Sequence, residues 1–209
     1  VQNKSKEFNG RTVYMCKESV PFVYDEIKLS DNEIDLIYLG SINNIIDIDL
    51  IVRIIDAINK RRKVIFHIIG EGENKSELIS KVERIGAEVI NHGIVYDEVE
   101  KRKIFNGCHY ALNIMKDSVC VGMTMKSIDY FEAGMPLINN IKHDTHDLVE
   151  KTGCGYNIEK SNIDEIVNAI MSASEDDVKK MKIASRKVFD EKFSVKVFNE
   201  IFKDVIKKL

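Results

Sequence analysis

The sequence predicts an α/β domain built on an open, doubly wound parallel β-sheet with helices on both faces. Three observations carry the prediction. From Ile34 onward, short apolar runs alternate with helical stripes. The runs are apolar throughout rather than at every second residue, as in strands buried on both faces. Glycines close three successive runs, at Gly40, Gly70 and Gly93. Right-handed crossovers then join such strands into one sheet.

The elements follow in order. "IDLIYLG" is a strand ended by Gly40. "IDLIVRIIDAINK" is a helix with Ile48, Ile51, Ile54, Ile55 and Ile58 on one stripe. "VIFHIIG" is the second strand, "NKSELISKVERIG" a helix, "AEVINHG" the third strand and "YDEVEKRKIFNG" a helix. "HYALNIM" is the fourth strand, and the loop "KDSVCVG" leads to a helix containing "MKSIDYFEAG". "PLINN" is a strand, the His- and Asp-rich run after it reads as a polar loop, and "GYNIE" is a short strand. Three helices end the chain. The first carries a capping pattern, Ser161 with Asp164 three residues on. The last presents Val197, Phe198, Ile201, Phe202, Val205 and Leu209 on one face, suited to packing on its own or another domain, or to a membrane surface.

Residues 1–30 fall outside the alternation. "TVYMCKESVPFVY" reads as a lone strand plus connector, the tail of a preceding domain or the linker leaving it. The division is therefore 1–30 linker or remnant, 31–193 doubly wound domain, and 194–209 C-terminal helix.

Composition narrows the function. The chain has 209 residues, 44% of them hydrophobic, enough to bury a core. A net charge of −3 makes no bulk electrostatic case for nucleic acid or anionic membrane. No apolar run approaches the ~20 residues of a membrane span, and the polar start "VQNKSKEFNG" lacks a secretory apolar region. A first residue of Val rather than Met suggests a fragment or processed chain. Cys16, Cys108, Cys120 and Cys154 form no CxxC pair, so zinc or redox chemistry is not expected, and isolated thiols fit the cytoplasm.

Ligand chemistry belongs beyond the carboxyl ends of the strands, where Gly40, Gly70, Gly72, Gly93 and Gly122 fall. "GEGENK" lacks the third glycine of a dinucleotide fingerprint, and no P-loop occurs. The sharpest feature is "VCVGMTMKSIDYFEAG". A helix starting near Met125 offers free N–H groups and a positive dipole end to a diphosphate. Thr124 can cap that helix or donate to phosphate, and Lys126 can add a full charge. Asp129, one turn on, can accept both hydroxyls of a ribose; equally, it could merely complement the dipole beside a solvated lysine. His143, Asp144, His146 and Asp147 raise a metal site as an alternative to a plain loop.

The segment from Ile34 to about Phe193 resembles the C-terminal, nucleotide-sugar-binding domain of the retaining GT-B glycosyltransferases of group 1, a family-4-like set with a Rossmann-like fold. The family pattern is a Glu, seven residues, a second Glu, Ala-Met-Ala-x-Gly-x-Pro-Val-Val, then Gly-Gly-x-x-Glu-Leu-Val and a later Gly. In "DYFEAGMPLI" Asp129 stands at the second Glu, with Gly134 and Pro136 at the Gly-x-Pro. "DLVEKTGCG" follows in register, Asp147 at the third Glu and Gly155 at the later Gly. "YLGSI", "IIGEG" and "NHGIV" resemble the upstream strand ends, so the match covers about three quarters of the chain. The chain departs from the pattern at Val121, where the first Glu is expected, and in "GSINNIIDID", which lacks the Arg and Lys that neutralise the diphosphate. Lys126 is the nearest substitute. "MKSIDYFEAGMP" is closer to a Lys-x-x-Glu/Asp-Tyr subgroup common in bacterial surface-polysaccharide synthesis.

The resemblance implies transfer of a sugar, with retention, from a nucleoside-diphosphate sugar to an acceptor hydroxyl, in a hexosyltransferase. A UDP-sugar is favoured as donor, without cofactor or metal. It implies donor contacts from Gly40, Ser41, Gly70, Gly72, Gly93, Ile94, Val95, Gly122, Met123, Thr124, Met125, Lys126 and Asp129. Asp129 would hold the ribose, the backbone after Gly93 the base, and residues 122–126 the diphosphate. No catalytic residue is expected within this chain, and the chain alone is expected to be inactive. An acceptor glycan or lipid-linked sugar would be held by an N-terminal acceptor-binding domain, in a cytoplasmic enzyme with possible peripheral association at the inner membrane face. A nucleotide-sugar epimerase of the same fold and a non-catalytic partner domain with a decayed site are the alternatives.

Overall fold

The computed structural model describes residues 13–24 and 29–207. Its centre is a six-stranded parallel sheet: β1 (Ile34–Leu39), β2 (Val64–Ile69), β3 (Glu88–Gly93), β4 (Tyr110–Asn113), β5 (Leu137–Asn139) and β6 (Gly155–Asn157), in the order β3-β2-β1-β4-β5-β6. Helices α1 (Ile48–Asn59), α2 (Lys75–Arg84), α3 (Glu98–Gly107), α4 (Met125–Glu132), α5 (Asp144–Thr152), α6 (Ile163–Ser172), α7 (Glu175–Lys192) and α8 (Val195–Ile206) cover it. Side chains alternate across each strand, so β1 sends Leu36 and Tyr38 to one face and Ile37 to the other. The first face packs under α1, α2 and α6, and the second under α3, α4, α5 and α7. Each layer buries a full core, which explains why the strands read as apolar throughout.

The predicted strands and most helices stand where the sequence places them. The His–Asp run is the main correction: residues 144–152 form α5, not a loop. Thr145, Leu148 and Val149 are its buried stripe, and Gly153 ends it at φ 64°. Polar residues occupy the other positions and hid the stripe. The Ser161–Asp164 cap does not form. Asn162 is the N-cap of α6, and its side chain takes the N–H of Glu159 at 2.7 Å instead. The reciprocal box occurs at α7, between Ser174 and Asp177. In α8 no residue is fully buried, Phe202 and Ile206 are each 53% exposed, and Leu209 lies outside the described residues.

Of the N-terminal segment, Lys17 makes one parallel bridge to Ser194, and Tyr14 packs edge-on against Phe193. Residues 1–12 and 25–28, which hold the rest of that predicted segment, lie outside the described residues.

Two strand-end glycines are required by their own neighbours. The chain after β2 runs against the chain after β1, with Gly40 N–H donating to Ile69 O at 2.8 Å and Ile42 N–H to Glu71 O at 2.9 Å. A Cβ on Gly70 would lie 2.1 Å from Gly40 O, and one on Gly72 would lie 2.3 Å from Ile42 O. Both residues also hold φ near +150°, at 144° and 154°. Their conformational freedom therefore brings two backbones together. Gly70→Ala combines this overlap with backbone strain, and its expected cost is about 3 kcal/mol or more. A lower urea midpoint at unchanged slope is the check.

Candidate functional site

The strand order reverses between β1 and β4, so the chains leaving these strands diverge and open a crevice at their carboxyl ends. Gly40 lies on one side of that crevice and the start of α4 on the other. Thr124 is the N-cap of α4; its hydroxyl accepts the N–H of Ser127 at 3.0 Å and shares a 2.8 Å bond with the Ser127 hydroxyl. The N–H groups of Met125 and Lys126 have no partner within the helix.

Lys126 reaches back across the crevice to β1. Its stem passes Gly40, where an added Cβ would stand 3.8 Å from Lys126 Cδ. Its ammonium sits 4.3 Å from the Tyr38 ring centre and donates to the Tyr38 hydroxyl at 3.3 Å. That hydroxyl donates in turn to Ser41 O at 2.9 Å. No ion pair to Lys126 occurs among the described residues, and burial alone pushes its pKa down to about 7. A buried lysine beside a helix N-terminus, with no carboxylate partner among the described residues, can take an anion.

Asp129 points elsewhere. It accepts from Lys17 Nζ at 2.7 Å, and Lys17 also stands 3.8 Å from Glu98, the first residue of α3. Through Lys17, Asp129 is linked to the start of α3, which follows the loop holding Ile94 and Val95. Burial disfavours the Lys17 charge, but Asp129 outweighs it and the Lys17 pKa rises. Gly93, the last residue of β3, adopts φ 66°; in that loop Ile94 is 53% exposed and Val95 turns into the core.

The loop before α4 is tied to α5. Gly122 O accepts from Thr145 N–H at 2.9 Å and from its hydroxyl at 2.6 Å. The bare face of Gly122 lies against His143 and Asp144, where a Cβ would come 3.4 Å from His143 Cβ and 3.3 Å from Asp144 Oδ2. Met123 packs partly into the core, while Met125 is exposed. His143 has φ 58° and ψ −123°, the only non-glycine with positive φ among the described residues. The loops therefore meet at a strained junction. His143→Gly relieves the strain, with an expected gain of about 1 kcal/mol and a rise of roughly 2–4 °C in melting temperature, checked by thermal denaturation.

The acidic run does not assemble as its spacing suggested. The cluster that forms is the half-buried His146 with the exposed Asp147 and Glu150, His146 standing 3.7 Å from Asp147 and 4.0 Å from Glu150 on the same helix. Lys151 pairs with Asp147 at 3.6 Å on the same helix surface.

Sequence reasoning missed three features. Lys17, 112 residues from Asp129, has no local signature. The backbone of His143 is invisible in residue types. Asn113, Asn139 and Asn157 stand in register across β4, β5 and β6. Their amides link strand to strand at 2.8 and 2.9 Å, and Asn113 donates on to Ser127 at 3.1 Å, fixing the first turn of α4 to the sheet.

Comparisons with known proteins identify the family and the fold. The family model described as Glycosyl transferases group 1 matches residues 33–176. No curated protein matches. Among solved structures, an S. aureus TarM variant in complex with fondaparinux, alpha-GlcNAc-glycerol and UDP superposes with TM-score 0.65 at 17% identity, over 95% of this chain and 40% of that one. Anabaena HepE in complex with UDP and glucose superposes with TM-score 0.64 at 14% identity, over 90% of this chain and 55% of that one. The lipopolysaccharide outer core galactosyltransferase WaaB gives TM-score 0.64 at 15% identity, over 95% of this chain and 56% of that one. The chain thus spans about half the length of these GT-B structures or less, and its fold is their Rossmann-like C-terminal half. With the family model covering more than half of its length, the chain belongs to the group 1 glycosyl transferases.

Proposed function

We propose that the chain binds the donor, a nucleoside-diphosphate sugar with UDP favoured, for a retaining hexosyltransferase of bacterial surface polysaccharide or glycoconjugate synthesis. The observation that carries the reading is Lys126, a cation with no carboxylate partner among the described residues, at the strand-order reversal and the N-terminus of α4. Lys126 and the open N–H groups of Met125 and Lys126 hold the diphosphate. The same groups stabilise the charge that gathers there as the sugar bond breaks. Asp129 takes the ribose hydroxyls once Lys17 shares or releases it, and the base lies along Gly93–Val95. The acceptor, a glycan or lipid-linked sugar, is held by further protein. The whole enzyme works in the cytoplasm, with peripheral association at the inner membrane face. UDP in the TarM and HepE complexes supports the choice of nucleotide. No helix among the described residues is long and apolar enough to cross a membrane.

A second reading, a non-catalytic partner domain with a decayed site, is favoured by the Lys17 bond that already occupies Asp129. Titration calorimetry with UDP, GDP and UDP-sugars decides between them. Measurable heat, reduced severalfold by Asp129→Ala, supports the donor site. Heat that Asp129→Ala leaves unchanged favours decay, and no heat with any nucleotide from folded protein sinks the donor reading.

A further inference from the structure

A line of hydrogen-bonded polar side chains crosses the sheet to the start of α4: Asn157, Asn139, Asn113, Ser127 and Thr124. Asn139, Asn113 and Ser127 are fully buried. We propose that this line commits the Thr124 hydroxyl to donate to the diphosphate of the donor, with Asn113 and Ser127 as positioning residues; the inference rests on the nucleotide-sugar reading above.

Protons and lone pairs set the direction of each bond. Asn139 is fixed first, because Ile141 holds both ends of its amide. Asn139 Nδ2 donates to Ile141 O at 2.9 Å, and Asn139 Oδ1 accepts Ile141 N–H at 3.2 Å. The second Nδ2 proton goes to Asn157 Oδ1 at 2.9 Å, and Asn157 Nδ2 donates on to His146 O at 3.0 Å. Asn139 therefore meets Asn113 as an acceptor, and Asn113 presents Nδ2 to it at 2.8 Å. The other Asn113 proton goes to Ser127 Oγ at 3.1 Å.

The same constraint leaves Asn113 Oδ1 buried with no hydrogen-bond partner among the described residues. Turning the amide over would give that oxygen the Ser127 proton, but would set it against Asn139 Oδ1. A buried acceptor left unpaired costs free energy. Here that cost accompanies an N–H aimed at Ser127.

Ser127 Oγ receives a proton from Asn113, so its own proton goes to Thr124 Oγ1 at 2.8 Å, its one acceptor among the described residues. Thr124 Oγ1 also accepts Ser127 N–H at 3.0 Å. Both of its lone pairs are then used, and only its proton remains. Thr124 is half-buried at the N-cap of α4, and that proton has no acceptor among the described residues. It joins the open N–H groups of Met125 and Lys126 as a third donor. A group with a proton to give and no lone pair to offer takes an anionic oxygen. Donation from Asn113 to Ser127 to Thr124 also polarises each hydroxyl in turn, which strengthens the last bond. Capping the helix and donating to phosphate are thus one arrangement rather than alternatives.

The test is calorimetric titration of the chain with UDP-glucose, for wild type, Thr124→Ser, Thr124→Val, Ser127→Ala and the Thr124→Val, Ser127→Ala double variant. Thr124→Ser keeps both cap and donor, and its affinity stays within about twofold of wild type. Thr124→Val binds about 10- to 100-fold more weakly. Ser127→Ala binds about three- to tenfold more weakly in wild type, and adds no loss in the Thr124→Val background. That non-additivity marks a residue acting through Thr124, whereas a residue that only braces α4 weakens binding equally in both backgrounds. Ser127→Cys, a weaker donor of similar size, gives a smaller loss and runs the same cycle should Ser127→Ala not fold. Unchanged affinity in Thr124→Val, with wild type that binds, overturns the commitment and leaves the nucleotide site standing. Equal losses in the two backgrounds, or full affinity in the Ser127 variants, overturn it as well. Failure of folded wild type to bind UDP-glucose overturns both readings together.

Discussion

Replacing Lys126 by Met lowers affinity for UDP-glucose about 10- to 100-fold, the range expected for the loss of a charge-assisted hydrogen bond to phosphate. The same substitution leaves folding stability unchanged or raised. The ammonium lies over Tyr38 with no carboxylate partner among the described residues, so its burial costs free energy that no ion pair among them offsets. The sign with pH follows. The folded pKa of about 7 lies below the usual lysine value of 10.5, so between these limits the unfolded chain binds more protons than the folded one. The contribution of Lys126 to stability therefore rises as pH rises from about 7 to 10.5, and the penalty is fully present below about 7.

Ligand binding runs the other way. A diphosphate beside Lys126 favours the charged amine, so affinity falls as pH climbs above about 7, and binding at pH 8 draws a proton from the buffer. UDP-glucose suits this experiment because its diphosphate diester does not itself titrate there. Calorimetry at pH 8 in buffers of different ionisation enthalpy reads the uptake directly. Heats that vary with buffer in wild type and not in Lys126→Met support the assignment. Heats independent of buffer in both, with equal affinity, remove Lys126 from the diphosphate site.

The sheet was legible because its strands are buried on both faces: an apolar run closed by glycine has few other readings. Helix α5 was not, since only Leu148 and Val149 mark its apolar face among charged residues and Thr145 supplies the third buried position. The α6 cap misled because Ser161 and Asn162 are both good caps, and tertiary packing chose the second. Within the site, the residues of α4 were legible as a helix start with a cation and a carboxylate a turn apart. Their partners were not. Lys126 turns to Tyr38 and Gly40, and Asp129 turns to Lys17, over separations of 88 and 112 residues for the two hydrogen bonds. Local spacing carries no information about such contacts; the topology of the sheet creates them.

Glu132, on the same helix, anchors α4 from below, and its replacement is expected to have the largest effect on stability. Its carboxylate is 3% exposed and bonds Arg102 at 2.5 Å, stands 3.5 Å from Arg186, and accepts Val20 N–H at 2.9 Å. The Glu132 carbonyl accepts from both guanidinium groups, at 3.2 and 2.9 Å. Burial and the neighbouring Arg186 charge both press the Arg102 pKa down, and Glu132, with a smaller part from Glu98, opposes them. Glu132→Gln keeps the shape and removes that charge, leaving the enclosed Arg102 without its ion-pair partner beside Arg186, which keeps Asp190 at 3.0 Å. The expected cost is about 3–5 kcal/mol, a fall of roughly 6–20 °C in melting temperature for a chain of this size. Adding Arg102→Met removes the stranded cation and recovers part of the loss, an outcome simple volume change does not produce. Because Val20 and Arg186 tie the N-terminal segment to this network, Glu132→Gln also loosens the segment that carries Lys17 onto Asp129. Thermal denaturation of the single and double variants is the measurement. A Glu132→Gln melting temperature equal to wild type shows that the arginines stand without it, and a double variant no better than the single one shows that charge was not the cause.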